Sequence, residues 1–145
     1  RGEADTVIID LHSPGGSVSE GRAVIEAIER IRRTHTVETR VGPISFCASM
    51  CVPIYLQGSV RRAAPSARFM FHEPSSRDAI TGERVDTPEF EQRWASRQFV
   101  ARYFEDSEMD PAWREKLVTE WRGRDIWKTG RELVDERANV VQILM

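Results

Sequence analysis

Three short stretches of the chain carry residue types suited to acyl transfer. Ile8-Ile9-Asp10-Leu11-His12-Ser13-Pro14-Gly15-Gly16-Ser17 runs an apolar strand into a Pro-Gly-Gly turn. Cys47-Ala48-Ser49-Met50-Cys51 sets a serine where a helix can begin, and Phe69-Met70-Phe71-His72-Glu73-Pro74 is an apolar strand ending at a histidine. A nucleophile, a base and a backbone cradle for an oxyanion are the parts that acyl transfer needs. Ser49 is the candidate nucleophile, because the start of a helix offers free N–H groups and a positive dipole end to an alkoxide or oxyanion. His72 is the candidate base, expected at a strand end beside the crevice of a sheet. The 23 residues from Ser49 to His72 leave room for a helix, a turn and a strand returning to the same edge. Of the remaining histidines, His35 sits in a polar linker and reads as a solvated surface residue. His12 ends the first strand beside the glycine turn and reads as a satisfied structural histidine.

The elements that must position these groups follow from periodicity. Thr6 to Leu11 is an apolar run suited to a buried parallel strand. Ser17 or Ser19 can cap the next segment, where Ala23, Val24, Ala27, Ile28 and Ile31 recur at helical spacing opposite Glu20, Arg22, Glu26, Glu29 and Arg30. Val37 to Val41 reads as a second strand, Gly42-Pro43 as a break, and Cys47 to Leu56 as a core helix, apolar all round. Arg68 to Phe71 is a short third strand, and the polar stretch Ser75 to Pro88 is expected to be an exposed loop or irregular hairpin flanking a groove. Pro88 to Phe104 predicts a long helix, Asp110-Pro111 starts another through Trp121, Thr129 to Asp135 is a short final helix, and Val140 to Leu144 a last strand. Strands alternating with helices predict an α/β class with a parallel sheet.

Composition bounds the function. With 40% hydrophobic and 30% charged residues in 145, the chain can bury one sizeable core, so a single domain over residues 1–145 is expected. The formal net charge of −2 supplies no basic field of the kind that drives nucleic-acid or anionic-membrane binding. No apolar run approaches the roughly 20 residues of a membrane span. The cationic residues are nearly all arginine, Lys116 and Lys128 being the only lysines.

The three motifs, in this order, together with Trp121-Arg122-Gly123-Arg124-Asp125-Ile126-Trp127, resemble the proteolytic subunit of Clp-type serine proteases, within the superfamily that also holds signal-peptide peptidases and crotonases. The resemblance runs from about Ile8 to Leu144. It implies a ClpP/crotonase-like core of parallel strands with flanking helices and a projecting handle helix used in oligomerisation, here Pro88 to Phe104 with Phe90, Trp94, Phe99, Tyr103 and Phe104. Carried over residue by residue, it makes Ser49, His72 and Asp125 a catalytic triad and places oxyanion-hole amides at Gly16 and Met50. A glycine suits that role because the missing Cβ lets a substrate carbonyl approach the backbone. Glu73 and Asp135 are fallback orienters of the imidazole, and an ion pair of Asp125 with Arg122 or Arg124 is its structural alternative. The implied activity is peptide-bond hydrolysis of a peptide or protein substrate by a homo-oligomer, with no cofactor and no metal. The residues name no ATPase partner. Since the family carries strands and a helix upstream of the first strand, a native N-terminal segment is expected to precede Arg1.

Cys47 and Cys51 depart from the family pattern of small residues around the serine. Four apart on an expected helix, they admit three readings. These are buried free thiols packing like small apolar residues, which is preferred, a disulfide across one helical turn, or metal ligation with His72, which lacks a fourth ligand. Cysteines bracketing the serine also resemble those of secreted or periplasmic members, which leans the expectation toward an extracytoplasmic bacterial protein. Two rival functions remain open, a catalytically silent scaffold or interaction module on the same fold and a crotonase-like acyl-CoA enzyme.

Overall fold

The computed structural model describes residues 5–73 and 89–145; the expected loop Ser75 to Pro88 lies outside them. Seven strands fall into two sheets among the described residues. The larger has the order β1 (Thr6–Asp10), β2 (Thr36–Val41), β4 (Val60–Ala63), β7 (Ile143–Leu144), and the smaller the order β3 (Phe46–Ala48), β5 (Arg68–Phe71), β6 (Ile126–Thr129). Every pairing is parallel except β5 with β6. The α/β class and parallel core are as expected, whereas β6 pairs antiparallel, β1, expected to be buried, is an edge strand with Ile8 48% exposed, and the last strand is two residues long instead of five.

Helix α1 (Val18–Arg32) is capped by Ser17, whose Oγ accepts from the Glu20 amide. Its buried stripe is Gly21, Ile25 and Ile28, whereas Val24, expected inside, is exposed. The rotation has a local cause. A Cβ on Gly21 would stand 2.3 Å from Met50 Cγ, so the helix docks with its glycine notch over the Met50 side chain and turns Val24 outward.

The expected helix Cys47 to Leu56 is instead strand, turn and helix: β3, then Ser49 and Met50, then α2 (Cys51–Tyr55). Phe46 to Ala48 pair in register with Arg68 to Met70, so a ladder formed with a distant segment overrides local helical preference. Strands β4 and β6 were not foreseen. In β4 the arginines disguise a buried strand: Arg61 is 0% exposed, and its guanidinium donates to the carbonyls of Gly58, Asn139 and Val140 and to Glu108 Oε1. A buried cation is tolerable when each of its nitrogens is hydrogen-bonded this way. Its neighbour Arg62 pairs with Glu38, which Arg40 also clasps. Burial alone would push the Glu38 carboxyl up, but these guanidinium bonds prevail and hold it below the usual carboxylate range.

Helix α3 (Glu89–Phe99) runs into a π-helical turn, Val100–Glu105. Tyr103 and Phe104 are buried, Phe99 packs against the core, and Trp94 is 55% exposed. The aromatic excess therefore divides between the domain's own core and solvent. Helix α4 (Pro111–Glu120) starts at its Asp110 cap with proline in the first turn, and α5 (Gly130–Asp135) starts with a full capping box between Thr129 and Glu132.

Candidate active site

The chain leaving β1 changes sheets within two residues. The Leu11 amide donates to Arg40 O in the larger sheet, the Ser13 amide donates to Phe46 O in the smaller one, and Ser13 O accepts from the Ala48 amide. His12, between them, accepts from the Phe46 amide at Nδ1 and packs edge-on against the Phe46 ring. It is the satisfied structural histidine expected. His35 pairs with Thr34 Oγ1 and is partly buried instead of fully solvated.

The sheet switch delivers the Pro-Gly-Gly turn against the Ser49 backbone. Gly15 has φ +100°, and a Cβ there would stand 2.8 Å from Ala48 O, 2.9 Å from Ser49 Cβ and 3.2 Å from Met50 N. A Cβ on Gly16 would meet only Glu20 Oε2, at 3.6 Å. Within the chain's own packing, the position that requires glycine is Gly15. The Gly16 and Met50 amides donate to no acceptor among the described residues.

Ser49 occupies the turn between β3 and α2 with φ +58°, a left-handed conformation uncommon for a residue with a side chain. Its amide donates to Met70 O at 2.9 Å, and its carbonyl accepts from the Val52 amide at 3.0 Å. This sharp strand-to-helix turn, rather than a helix start, presents the hydroxyl. Helix α2 is only five residues long, so the dipole argument carries little here and the individual Met50 amide carries more. His72 follows β5, and its Nε2 lies 2.7 Å from Ser49 Oγ, at hydrogen-bond distance. Both residues are partly exposed. The two residues that sequence pairs as nucleophile and base are thus in direct contact.

Asp125 immediately precedes β6. The antiparallel ladder ends on the pair Phe71 and Ile126, so His72 and Asp125 are the residues that leave it at the same end. The carboxylate is exposed and makes no hydrogen bond to a described residue. Glu73, a fallback orienter, is engaged elsewhere: its Oε2 accepts from Ser96 Oγ at 2.9 Å, tying the segment after His72 to α3. Asp135 is exposed in the last turn of α5. Beneath His72, the Phe71 ring packs edge-on against Trp113, whose indole N–H donates to Glu136 Oε1 while Lys128 Nζ donates to Oε2. Burial raises the Glu136 carboxyl, and the Trp113 and Lys128 hydrogen bonds more than reverse this, so it titrates below its ordinary value.

Cys47 and Cys51 form a disulfide, with Cα atoms 5.2 Å apart. The preferred expectation of free thiols rested on a helix that is absent. With Cys47 in β3 and Cys51 at the first residue of α2, the chain doubles back between them, and both are buried, at 0% and 1% exposure. Among the described residues no cluster of His, Cys, Asp and Glu could hold a metal ion, and the reading of Cys47, Cys51 and His72 as ligands falls with the disulfide.

Gly15, Gly21 and Ser96 were not singled out by sequence. The first was visible only as half of Gly-Gly, and the other two matter through partners distant in the chain.

Residues 2–132 match the family model described as Clp protease. The chain belongs to the Clp protease family. Among its curated relatives, the ATP-dependent Clp protease proteolytic subunit 1 of Chlamydia caviae is 28% identical over 131 residues, covering 89% of this chain and 65% of that protein. The ATP-dependent Clp protease proteolytic subunit of Arabis hirsuta is 31% identical over 136 residues, covering 90% and 65%. The match to the subunit 1 of Chlamydia muridarum, 34% identical over 80 residues, covers 55% of this chain and 41% of that protein. The chain thus spans from 41% to 65% of the length of these relatives. A solved ClpP1 point mutant from Listeria monocytogenes superposes with TM-score 0.68 at 23% identity, over 97% of this chain and 74% of that one, which establishes the ClpP-like fold.

Proposed function

We propose that this Clp-family chain is a serine peptidase-like hydrolase in which Ser49 is the nucleophile and His72 the base. The observation that carries the reading is the 2.7 Å contact from Ser49 Oγ to His72 Nε2, made by a serine held in a left-handed turn. In this mechanism Nε2 takes the hydroxyl proton as Oγ attacks a peptide carbonyl. The unengaged Gly16 and Met50 amides receive the developing oxyanion, and the imidazolium then protonates the leaving amine. Water, deprotonated by the same histidine, releases the acyl-enzyme. Asp125, which leaves the ladder at the same end as His72, would accept from Nδ1–H and stabilise the imidazolium. The scheme requires neither metal nor organic cofactor. The exposed Trp94 on α3 supports homo-oligomer formation through that helix, and the Cys47–Cys51 disulfide supports an oxidising, extracytoplasmic compartment.

Labelling with a fluorophosphonate probe tests the nucleophile without knowledge of the substrate. The wild-type chain is expected to label covalently, and Ser49→Ala and His72→Ala to abolish both labelling and peptide hydrolysis. Losses of about 10⁴-fold are usual for a working triad member. Turnover unchanged in Ser49→Ala would mean that the nucleophile lies elsewhere. A second reading, a silent scaffold on the same fold, is favoured by the unbonded Asp125 carboxylate. It predicts no labelling of the wild type.

A further inference from the structure

We propose that the Cys47–Cys51 disulfide is a positioning device for the nucleophile, holding the Ser49 turn in its attacking geometry; this rests on Ser49 being the nucleophile. The crosslink encloses only Ala48, Ser49 and Met50, which are the nucleophile, the candidate oxyanion amide and the residue joining them to β3. Ser49 at φ +58° is in a conformation that an L residue keeps only where its surroundings impose it.

The turn is held on both sides. On the strand side, Cys47 is fixed by pairing with Phe69 and by the bridge to Ser13, and the Ser49 amide by Met70 O. On the helix side, α2 has only five residues and no side-chain cap at Met50, so it is held by tertiary contacts: Val52 and Tyr55 are buried, the Tyr55 hydroxyl donates to Arg62 O, and the Tyr55 carbonyl accepts from Thr39 Oγ1. The disulfide is the covalent link between these two sides, across the one strained residue. Both cysteines are buried beside the turn they enclose. Gly15 closes over the same turn, so the Ser49 backbone is held between a covalent staple and a glycine contact.

A purely structural disulfide would raise global stability and leave the folded site unchanged, whereas a positioning one must alter Ser49 in protein that remains folded. The test compares oxidised wild type, wild type reduced with a phosphine, and Cys47→Ala/Cys51→Ala. All are held well below their melting transitions, with folding checked by near-ultraviolet circular dichroism. Two quantities are read: the second-order rate of fluorophosphonate labelling, and hydrogen-exchange protection of the Ser49 amide relative to β2 amides. The expected result is at least a tenfold fall in both without the crosslink, β2 protection unchanged, and recovery of the reduced wild type on reoxidation. Equal labelling rates and equal Ser49 protection in all three would overturn the proposal. So would global unfolding of both crosslink-free forms at every temperature tried, which assigns the disulfide a purely structural role. If the oxidised wild type does not label, the nucleophile reading fails, while Ser49 amide protection still reports on the staple independently.

Discussion

Replacing Gly15 by alanine probes how the two walls of the site are fitted together. The backbone at Gly15, φ +100°, is one that an alanine enters at a cost of about 1–2 kcal/mol. The new methyl would also stand 2.8 Å from Ala48 O and 2.9 Å from Ser49 Cβ, atoms fixed by the β3 ladder and the Ser49 turn, neither of which can rotate away. Overpacking of this kind adds about 1–3 kcal/mol, for a total of about 2–5 kcal/mol. For a domain of this size each kcal/mol moves the Tm by about 2–4 °C, so a fall of at least about 4 °C is expected in thermal unfolding followed by circular dichroism. What relaxes to admit the methyl is the Ser49–Met50 peptide itself, so fluorophosphonate labelling of the folded variant should also slow by about tenfold or more. A misplacement of about 1 Å can cost 100-fold. Gly16→Ala is the control: its Cβ meets only Glu20 Oε2 at 3.6 Å, so its Tm should stay within about 2 °C of wild type. A Gly15→Ala protein that melts and labels like wild type would refute the claim that the glycine turn and the serine turn are in forced contact.

Three further outcomes are expected. Asp125→Asn should lower peptide hydrolysis while leaving thermal unfolding unchanged, because the carboxylate is exposed; unaltered hydrolysis would remove Asp125 from the mechanism. Because the Glu136 carboxyl is held below its ordinary value of 4.5, its contribution to stability is complete above that pH and is lost as pH falls through the lower folded value. Glu136→Gln should therefore be less stable than wild type at pH 7, with the gap closing toward pH 3 in chemical denaturation, and a gap independent of pH would contradict the assignment. Light scattering across a dilution series should show an oligomer that Trp94→Glu weakens, whereas a monomeric mass at tens of micromolar would leave α3 without a role between subunits.

Much of the chemistry was legible because it is written locally. Ser49 and His72 are marked by their neighbours, and the helix caps Ser17, Asp110 and Thr129 are short-range signals that the fold honours. What was hidden depends on partners far along the chain. Phe46 to Ala48 becomes a strand only because Arg68 to Met70 is there to pair with it, and the misread helix in turn concealed the disulfide. Arg61 looked like a surface residue because the groups that satisfy it, at Glu108, Asn139 and Val140, lie 47 to 79 residues away. The face of α1 was misjudged by one position because a glycine carries no hydrophobic signal, although Gly21 sets how that helix docks. Asp125 was singled out by motif, and the antiparallel β5–β6 ladder, which brings it to the end of the sheet where His72 emerges, was not legible in the sequence.

The sheet switch at Leu11 to Ser13 divides the molecule by task. Ser49, His72 and Asp125 all hang from the ends of strands in the three-stranded sheet, and the glycine turn joins them through Ser13. Strands β2 and β4, with Arg61 and the Glu38 cluster, lie wholly on the other side of that switch. The larger sheet is therefore a frame and the smaller one the instrument, and the chain crosses between them repeatedly, from β2 to β3, β3 to β4, β4 to β5 and β6 to β7. The instrument, whose three strands number three or four residues each, has almost no length over which an error in register could be absorbed.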